Sequence, residues 1–384
     1  MFKPNYSITP QITQLLINIE LLKKEIQNLP ITPTVLASLR ESARLQTLHY
    51  STYIEGNRLT LEQVENLIEK GSTFPSRKRD EKEILGYYAA LEQIKNLSSI
   101  HKKLTQEDIQ HLHALVMGGG KTNIKPTPYR SGQNAIYDGN TKKIVYLPPE
   151  AKDLKQLMQD LIDWINDSEQ EKIPCPLIAA IAHYQFATIH PYYDGNGRTA
   201  RLFATLILNR GGYNLKGLYS LEEYYAKNLP AYYNAISVGP SHNYYSPPKI
   251  LKNNTENPPK PCAKAGLGRA KSDITPWLDY FCTGMLDSFE KVKTHALLEY
   301  HKCFDDKSKW LRELDSQQQA TLTLFKKKKV ITSKDIQDFF SISPRTARTL
   351  CLKWLDNGFL ILNDPAKKSR KYELNPEISK NLFD

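Results

Sequence analysis

The stretch HPYYDGNGRTAR, residues 190–201, decides the reading of this chain. A histidine, a lone aspartate, a glycine-flanked asparagine and two arginines fall within one short run. A packed core needs none of them, and an exposed helix avoids two glycines so close together. The following residues, RTARLFATLILNRGG, read as an amphipathic to fully apolar helix closed by Gly211 and Gly212. The helix N-terminus is therefore expected at Gly195 to Arg198. A loop that runs into a helix presents unpaired backbone N–H groups and the positive end of the helix dipole, which together bind phosphate. Gly195 and Gly197 allow close approach of the backbone. Arg198 and Arg201, three apart, share a helix face and can both reach a polyphosphate. Asp194 is placed to hold Mg²⁺ against phosphate oxygens, since hard cations prefer carboxylates. His190 is the ionisable group of the loop suited to proton transfer near neutral pH.

A base, a metal ligand, a phosphate cradle and two arginines suit a transition state that gathers charge on phosphorus oxygens. The usual phosphate-handling frames do not apply. The sequence has no GxxxxGK[ST] run and no HRD or DFG set.

The surrounding chain is compatible with such an enzyme. Its 384 residues, 40% hydrophobic and 24% charged, suit two or three globular domains. The N-terminus lacks an apolar leader, and no run of eighteen apolar residues occurs, so no signal peptide and no membrane span are expected. Five scattered cysteines, without CxxC or Cys/His ligand spacing, suggest neither a disulfide framework nor a zinc site, and point to the cytoplasm. The 52 Lys+Arg against 41 Asp+Glu, a net +11, permit nucleic acid or nucleotide partners and require neither.

Outward from the motif, the chain reads as mainly α. Helical periodicity runs over 10–30 and 33–50, with Thr32 as a cap for the second run and Pro33 in its first turn. Thr60 and Gln63 have capping-box spacing, with Gly71 just past that helix. Helices follow at about 79–97 and from Thr105. In YRSGQNAIYDGNTKKIVYL, residues 129–147, the segments QNAIY and KIVYL flank Asp138–Thr141 as a β-hairpin. Helices return at about 151–167 and 175–189. Residues 239–273, rich in Pro, Asn, Lys and Gly, read as a mobile surface insertion. Thr275-Pro276 restarts a helix that runs to about 315. The C-terminus (VITSKDIQDFF, then SISPRTARTLCLKWLDNG, then FLILN and YELNP about a basic turn) has winged-helix order. The expected domains are 1–104, a helical region; 105–238, the core; 239–273, the insertion; 274–320, a helical linker; and 321–384, the winged helix.

HPYYDGNGRTAR resembles the signature of the Fic family, HPFxDGNGRxxR, with Tyr192 in place of the common Phe. YRSGQNAI…VYLPPE resembles that family's β-hairpin flap, and LEEYYAKNLPAYYNAI its helical segment after the motif. The resemblance implies a Fic-type helical core and transfer of AMP from Mg-ATP to a Ser, Thr or Tyr hydroxyl of a protein target, self-modification included. His190 would be the base and Asp194 the Mg²⁺ ligand. Gly195, Asn196 and Gly197 would hold α- and β-phosphate oxygens, and Arg198 with Arg201 the β- and γ-phosphates. The flap, about Gln133 to Tyr146, would align the target by adding a strand to it. Asn228, Tyr232 and Tyr233 lie where relatives contact adenine, and Gln185 is a further candidate. Ala187 stands where relatives often carry a carboxylate, and Ala200 where Gly is frequent; neither change removes a catalytic group. Gly197 argues against the Doc-like kinase branch, which has Lys there.

STYIEGN, residues 51–57, resembles the family's inhibitory [ST]xxxE[GN] motif. Ser51 and Glu55 at i, i+4 alone would fit a solvated helix end with Gly56 as its stop, but motif and context together favour the inhibitory reading. In the inhibitory reading, Glu55 takes over Arg201, which then cannot hold the γ-phosphate. His111 and His113, two apart on a helix, point to different sides and read as structural. His183 reads as a partnered core histidine, and KKKK at 326–329 as a solvated run. Arg345, Arg348 and Lys353, with Lys367, Lys368, Arg370 and Lys371, form a candidate phosphate-contacting face; docking to protein or to a second copy of the chain explains the same residues. Three further functions stay open: transfer of another nucleotide such as UMP, AMP removal, or a DNA-binding regulator whose core senses nucleotide.

Overall fold

Thr9, Thr60 and Thr105 open helices by accepting backbone N–H groups from Ile12, Gln63 and Asp108. At Thr60 and Thr105 the third residue answers with its own side chain, completing a capping box. The computed structural model describes residues 1–29, 31, 33–99, 103–137, 143–238, 242–246, 268–325, 328–364 and 370–383. Thr32, the Asp138–Thr141 turn, most of the 239–273 stretch, and Lys367 with Lys368 lie outside them. Two units divide the chain, residues 1–296 and 297–384.

In the first unit the helices are α1 Pro10–Gln27, α2 Pro33–Ile54, α3 Leu61–Lys70, α4 Lys78–Ser99 and α5 Gln106–Met117. Strands β1 Ile136–Tyr137 and β2 Ile144–Tyr146 follow, then α6 Leu154–Gln170, α7 Cys175–Ile189, α8 Asn196–Arg210, α9 Leu221–Lys227 and α10 Leu229–Ile236; α11 Thr275–Glu313 begins in this unit and runs past its last residue, 296. α7 is largely apolar and buried nearly all round, and it packs between α6 and α8. Trp277 of α11 is fully buried and donates its indole N–H to Ala180 O at 2.7 Å. The N-terminal helices share this core: Ile12, Ile19, Leu48 and Ile54 belong to one cluster with Ile181, Phe186 and Phe203.

Two local expectations are altered. Among the described residues β1 and β2 pair at Ile136 with Tyr146 and Tyr137 with Ile144, and a bulge between Ile136 and Tyr137 breaks the regular register that the alternating residues suggest. Beyond β2 the chain is instead tied to the segment at 242–246: Leu147 N–H donates to His242 O at 2.8 Å and Tyr244 N–H to Leu147 O at 3.0 Å. At the start of α11, Asp273 rather than Thr275 supplies the accepting oxygen, taking the Thr275 N–H at 3.0 Å.

The second unit contains α12 Ser316–Phe325, β3 Val330–Thr332, α13 Ser333–Phe340, α14 Pro344–Asp356, β4 Leu360–Asp364, β5 Lys371–Leu374 and α15 Pro376–Phe383. Its strands form an antiparallel sheet in the order β3-β5-β4. Ile331, Ile336, Ala347, Cys351, Trp354 and Phe359 fill a core of its own. Thr332 caps α13 and Ser343 caps α14.

Candidate active site

α7 ends at His190, whose backbone is left-handed (φ 51°, ψ 60°), a conformation that strains a non-glycine residue. Arg130, 3% exposed, holds it there. Its Nε donates to His190 O at 3.0 Å, its Nη1 to Gly132 O at 2.8 Å and its Nη2 to Pro149 O, while its backbone N–H donates to Pro191 O at 2.9 Å. One buried guanidinium thus joins the His190 turn to both ends of the β1–β2 hairpin. Burial pushes the His190 pKa down to about 4; a hydrogen bond with the Ala187 backbone opposes this and the charge of Arg130 adds to it. At pH 7 the imidazole is neutral and able to accept a proton.

Past His190 the loop is braced from inside. Asn196 folds its side chain back onto Tyr192, accepting its N–H at 3.0 Å and donating to its carbonyl at 2.8 Å. The Asn196 side chain is therefore a strut of the loop, and only its backbone N–H is left to face an anion. His113 of α5 stacks on the Tyr192 ring at 3.5 Å and donates through Nε2 to Asp194 O at 2.9 Å. Gly195 has φ 76°, and a Cβ there would meet Met117 Sδ at 2.8 Å and His113 Nε2 at 3.1 Å, so the loop closes only with glycine. α8 begins at Asn196, within the span the sequence predicts, and its first-turn N–H groups point out of the helix end.

The charged residues lie around that end. The Asp194 side chain is 62% exposed and faces a cavity of about 360 Å³ lined also by Lys78, Arg79, Lys82, Glu83 and Arg198. Arg198 is buried, 3.4 Å from Asp194 and 3.7 Å from Glu83. Among the described residues no group of three or more metal-ligating side chains occurs. A lone exposed carboxylate nonetheless fits magnesium, which keeps most of its ligands as water and substrate phosphate.

Arg201 is engaged by the STYIEGN segment. Its Nε donates to Ser51 Oγ at 2.9 Å, and its Nη2 to Ser51 O at 2.7 Å and to Glu55 Oε1 at 2.9 Å. The Glu55 carboxylate also covers Gly197, where a Cβ would lie 2.2 Å from its Oε1. Behind Arg201 runs a buried polar chain in which Tyr87 donates to Glu222 at 3.2 Å, and Glu222 also accepts from Ser220 at 3.1 Å.

The residues assigned to adenine are placed less simply. Tyr232 is buried with its hydroxyl 3.2 Å from His183, and Tyr233 donates to Ile54 O at 3.1 Å, at the end of α2. Asn228 caps α10 by accepting the Ala231 N–H. Gln185 is buried, with Tyr244 as its partner at 3.5 Å. Reading by residue type and spacing missed Arg130, His113, Glu83 and Tyr87. The contacts that tie them to the site (His190, Asp194, Arg198 and Glu222) lie far away in sequence, and only the position of Arg130 inside the flap segment was a signal.

Residues 103–208 match the Fic/DOC family model. The chain carries a Fic domain. It is 35% identical over 185 residues to the protein adenylyltransferase Fic of Drosophila willistoni and 32% identical over 195 residues to the protein adenylyltransferase fic-1 of Caenorhabditis elegans. Those alignments cover 47% and 50% of this chain but 35% and 37% of the relatives, so the chain spans little more than a third of their length. A Fic family protein from Desulfovibrio desulfuricans, 24% identical, shares the fold over 98% of this chain and 99% of its own, with a TM-score of 0.58. The matched span covers α5 to most of α8, and the STYIEGN segment reaches it from outside that span. No helix among the described residues is long and apolar enough to cross a membrane.

Proposed function

We propose that the chain is a protein adenylyltransferase that transfers AMP from Mg-ATP to a hydroxyl of a protein target, and that Glu55 restrains it. A neutral His190 at the mouth of the α8 N-terminus, with both arginines close by, carries this reading; the names of the relatives support it. His190 takes the proton of the attacking Ser, Thr or Tyr hydroxyl. The oxygen forms a bond to the α-phosphorus as the bond to the β-phosphate oxygen breaks, and pyrophosphate leaves. The N–H groups at Asn196 to Arg198 and the two guanidinium groups hold the phosphate oxygens. Magnesium at Asp194, when bound, supplies charge neutralisation on those oxygens. The exposed Tyr137, Ile144 and Val145 of the flap suit an extended target segment laid beside β2.

The test is transfer of label from ATP labelled at the α-phosphate, with Mg²⁺, using the wild type, Glu55→Gly and Glu55→Gly/His190→Ala. Label strongest in Glu55→Gly and absent from the double variant is expected. Equal labelling by all three would refute both assignments; label from UTP alone would change the donor, and loss of AMP from a premodified target would favour removal.

A second reading concerns the C-terminal unit, which we take as a winged helix able to bind DNA. Arg345 and Arg348 are exposed on α14, and Arg348 and Arg370 both bear electrostatically on Tyr372 of β5. Salt-dependent binding of duplex DNA, lost in Arg345→Ala/Arg348→Ala and retained in His190→Ala, is the outcome this reading requires.

A further inference from the structure

Arg198 is 2% exposed, and its Nε has no hydrogen-bond partner among the described residues. Two carboxylates flank its guanidinium, and they differ in kind. Asp194 is 62% exposed and is the residue assigned to the metal, whereas the Glu83 side chain is 10% exposed and has no part in the reaction described above. Glu83 is fixed from several sides. Its Oε2 accepts from Asn57 Nδ2 at 3.1 Å, and its Oε1 accepts from Arg79 Nε at 3.1 Å and faces Arg198 Nη1 at 3.7 Å. Asn57 is buried and fully engaged. It also donates to Asp80 O at 3.0 Å, accepts the Leu59 N–H at 3.1 Å and donates its own N–H to Thr52 O at 3.1 Å. It follows Glu55 by two residues, so it clips the inhibitory turn onto α4 through the same carboxylate that faces Arg198.

A buried guanidinium needs a counter-charge that stays in place. When Asp194 turns to a cation, Glu83 is the carboxylate left beside Arg198. We propose that Glu83 is a positioning residue for nucleotide binding, holding Arg198 toward the triphosphate and, through Asn57, fixing the turn that carries Glu55. The proposal rests on the reading of the 190–201 loop as an ATP site braked by Glu55. Glu83 accordingly acts in the free enzyme as well as in the braked one, and Asn57 acts only through Glu55.

The experiment is a titration of a fluorescent N-methylanthraniloyl ATP with Mg²⁺, alongside labelling rates at varied ATP. In the Glu55→Gly background, adding Glu83→Gln is expected to weaken binding of the analogue about tenfold and to raise KM for ATP equally, with less than a twofold change at saturation. Glu83→Asp in that background should recover most of the affinity, because the charge is kept. Asn57→Ala alone should label severalfold faster than wild type, and Glu55→Gly/Asn57→Ala no faster than Glu55→Gly. Cooperative melting of each variant separates these effects from unfolding. Equal affinity with and without Glu83→Gln, or equal losses for Gln and Asp, overturns the role of Glu83. An Asn57→Ala change that leaves wild-type labelling unaltered, or that still acts without Glu55, overturns the clip. Failure of Glu55→Gly itself to bind the analogue would instead bring down the ATP reading beneath both.

Discussion

Glu55 and Arg201, 146 positions apart in sequence, meet at 2.9 Å, and the Glu55 carboxylate that reaches the arginine also lies over Gly197. One carboxylate thus neutralises a buried cation and lies over Gly197 in the first turn of α8, the place the proposed function gives to a phosphate. On the proposed function, the same contact contributes to folding stability and opposes nucleotide binding.

Activity and stability should accordingly move in opposite directions in Glu55→Gly. Arg201 is almost wholly buried while Glu55 is about one-third exposed, so the loss falls below that of a fully buried pair, about 1–3 kcal/mol, with Ser51 still accepting two hydrogen bonds. Urea denaturation of wild type and variant, set beside labelling rates, checks this. A variant that labels faster with undiminished stability would show that the ion pair is not what holds the helix end in place.

Gly197 offers a second probe of the same contact. Its φ is not positive, so alanine can adopt its conformation, and in an open helix turn alanine stabilises by up to about 1 kcal/mol. Here the added methyl would sit 2.2 Å from Glu55 Oε1. Gly197→Ala is therefore expected to destabilise the wild type and to be neutral or stabilising once Glu55 is glycine. The double-mutant cycle, measured by denaturation, should give a coupling of at least about 1 kcal/mol. Additive effects would place the carboxylate elsewhere in solution.

How legible all this was in the sequence follows the range of the interactions. Local chemistry could be read directly: α7 ends and α8 begins where glycines and the loop composition predict, and Thr60, Thr105 and Ser343 cap as their spacing requires. Residues whose partners are remote could not. His113 reads as a structural histidine beside His111, and nothing nearby in sequence indicates that its ring stacks on Tyr192 and supports Asp194. Asn196 is an ambiguous residue of another kind: an amide in a glycine-rich loop can face an anion or brace the loop, and the fold decides for the brace. The separation of Arg198 from Arg201 was visible as a shared face, but not the carboxylates that meet them, Glu83 of α4 and Glu55 just past the end of α2.

Acid should unfold the protein through its histidines. Burial pushes His183 to about 3 and His113 and His190 to about 4, all below the ordinary value near 6.5. Because the folded pKa values are depressed, the unfolded chain binds protons first as pH falls. Stability from these sites is complete above about 6.5 and is lost progressively toward pH 4 and 3. Glu222, whose pKa burial raises, works in the opposite sense and offsets part of this loss. Melting temperatures should therefore fall steadily from pH 7 to 4.5, whereas labelling should show no protonation step of His190 between pH 8 and 6. An acid limb near pH 6.5 that disappears with the His190 variant would contradict the depressed value.

Arg130 joins the His190 turn to the segments flanking the β1–β2 hairpin, so on the proposed function a change there should be felt at both. Its guanidinium satisfies three carbonyls, those of His190, Gly132 and Pro149, with donors set in a planar fork. A lysine keeps the charge but presents its donors from one point and cannot span carbonyls so far apart. Arg130→Lys should thus leave buried acceptors unmade, costing about 1–3 kcal/mol of stability. The left-handed His190 would lose the hydrogen bond at its carbonyl, and the hairpin would lose its anchor at both ends. Labelling in the Glu55→Gly background should fall by at least tenfold, with faster amide exchange across Ile144–Tyr146. If exchange at the hairpin is unchanged while labelling falls, Arg130 acts on His190 alone; if labelling holds while exchange quickens, the hairpin is not where the target docks. Only when both change does the guanidinium couple the strand that receives the target to the base that activates its hydroxyl.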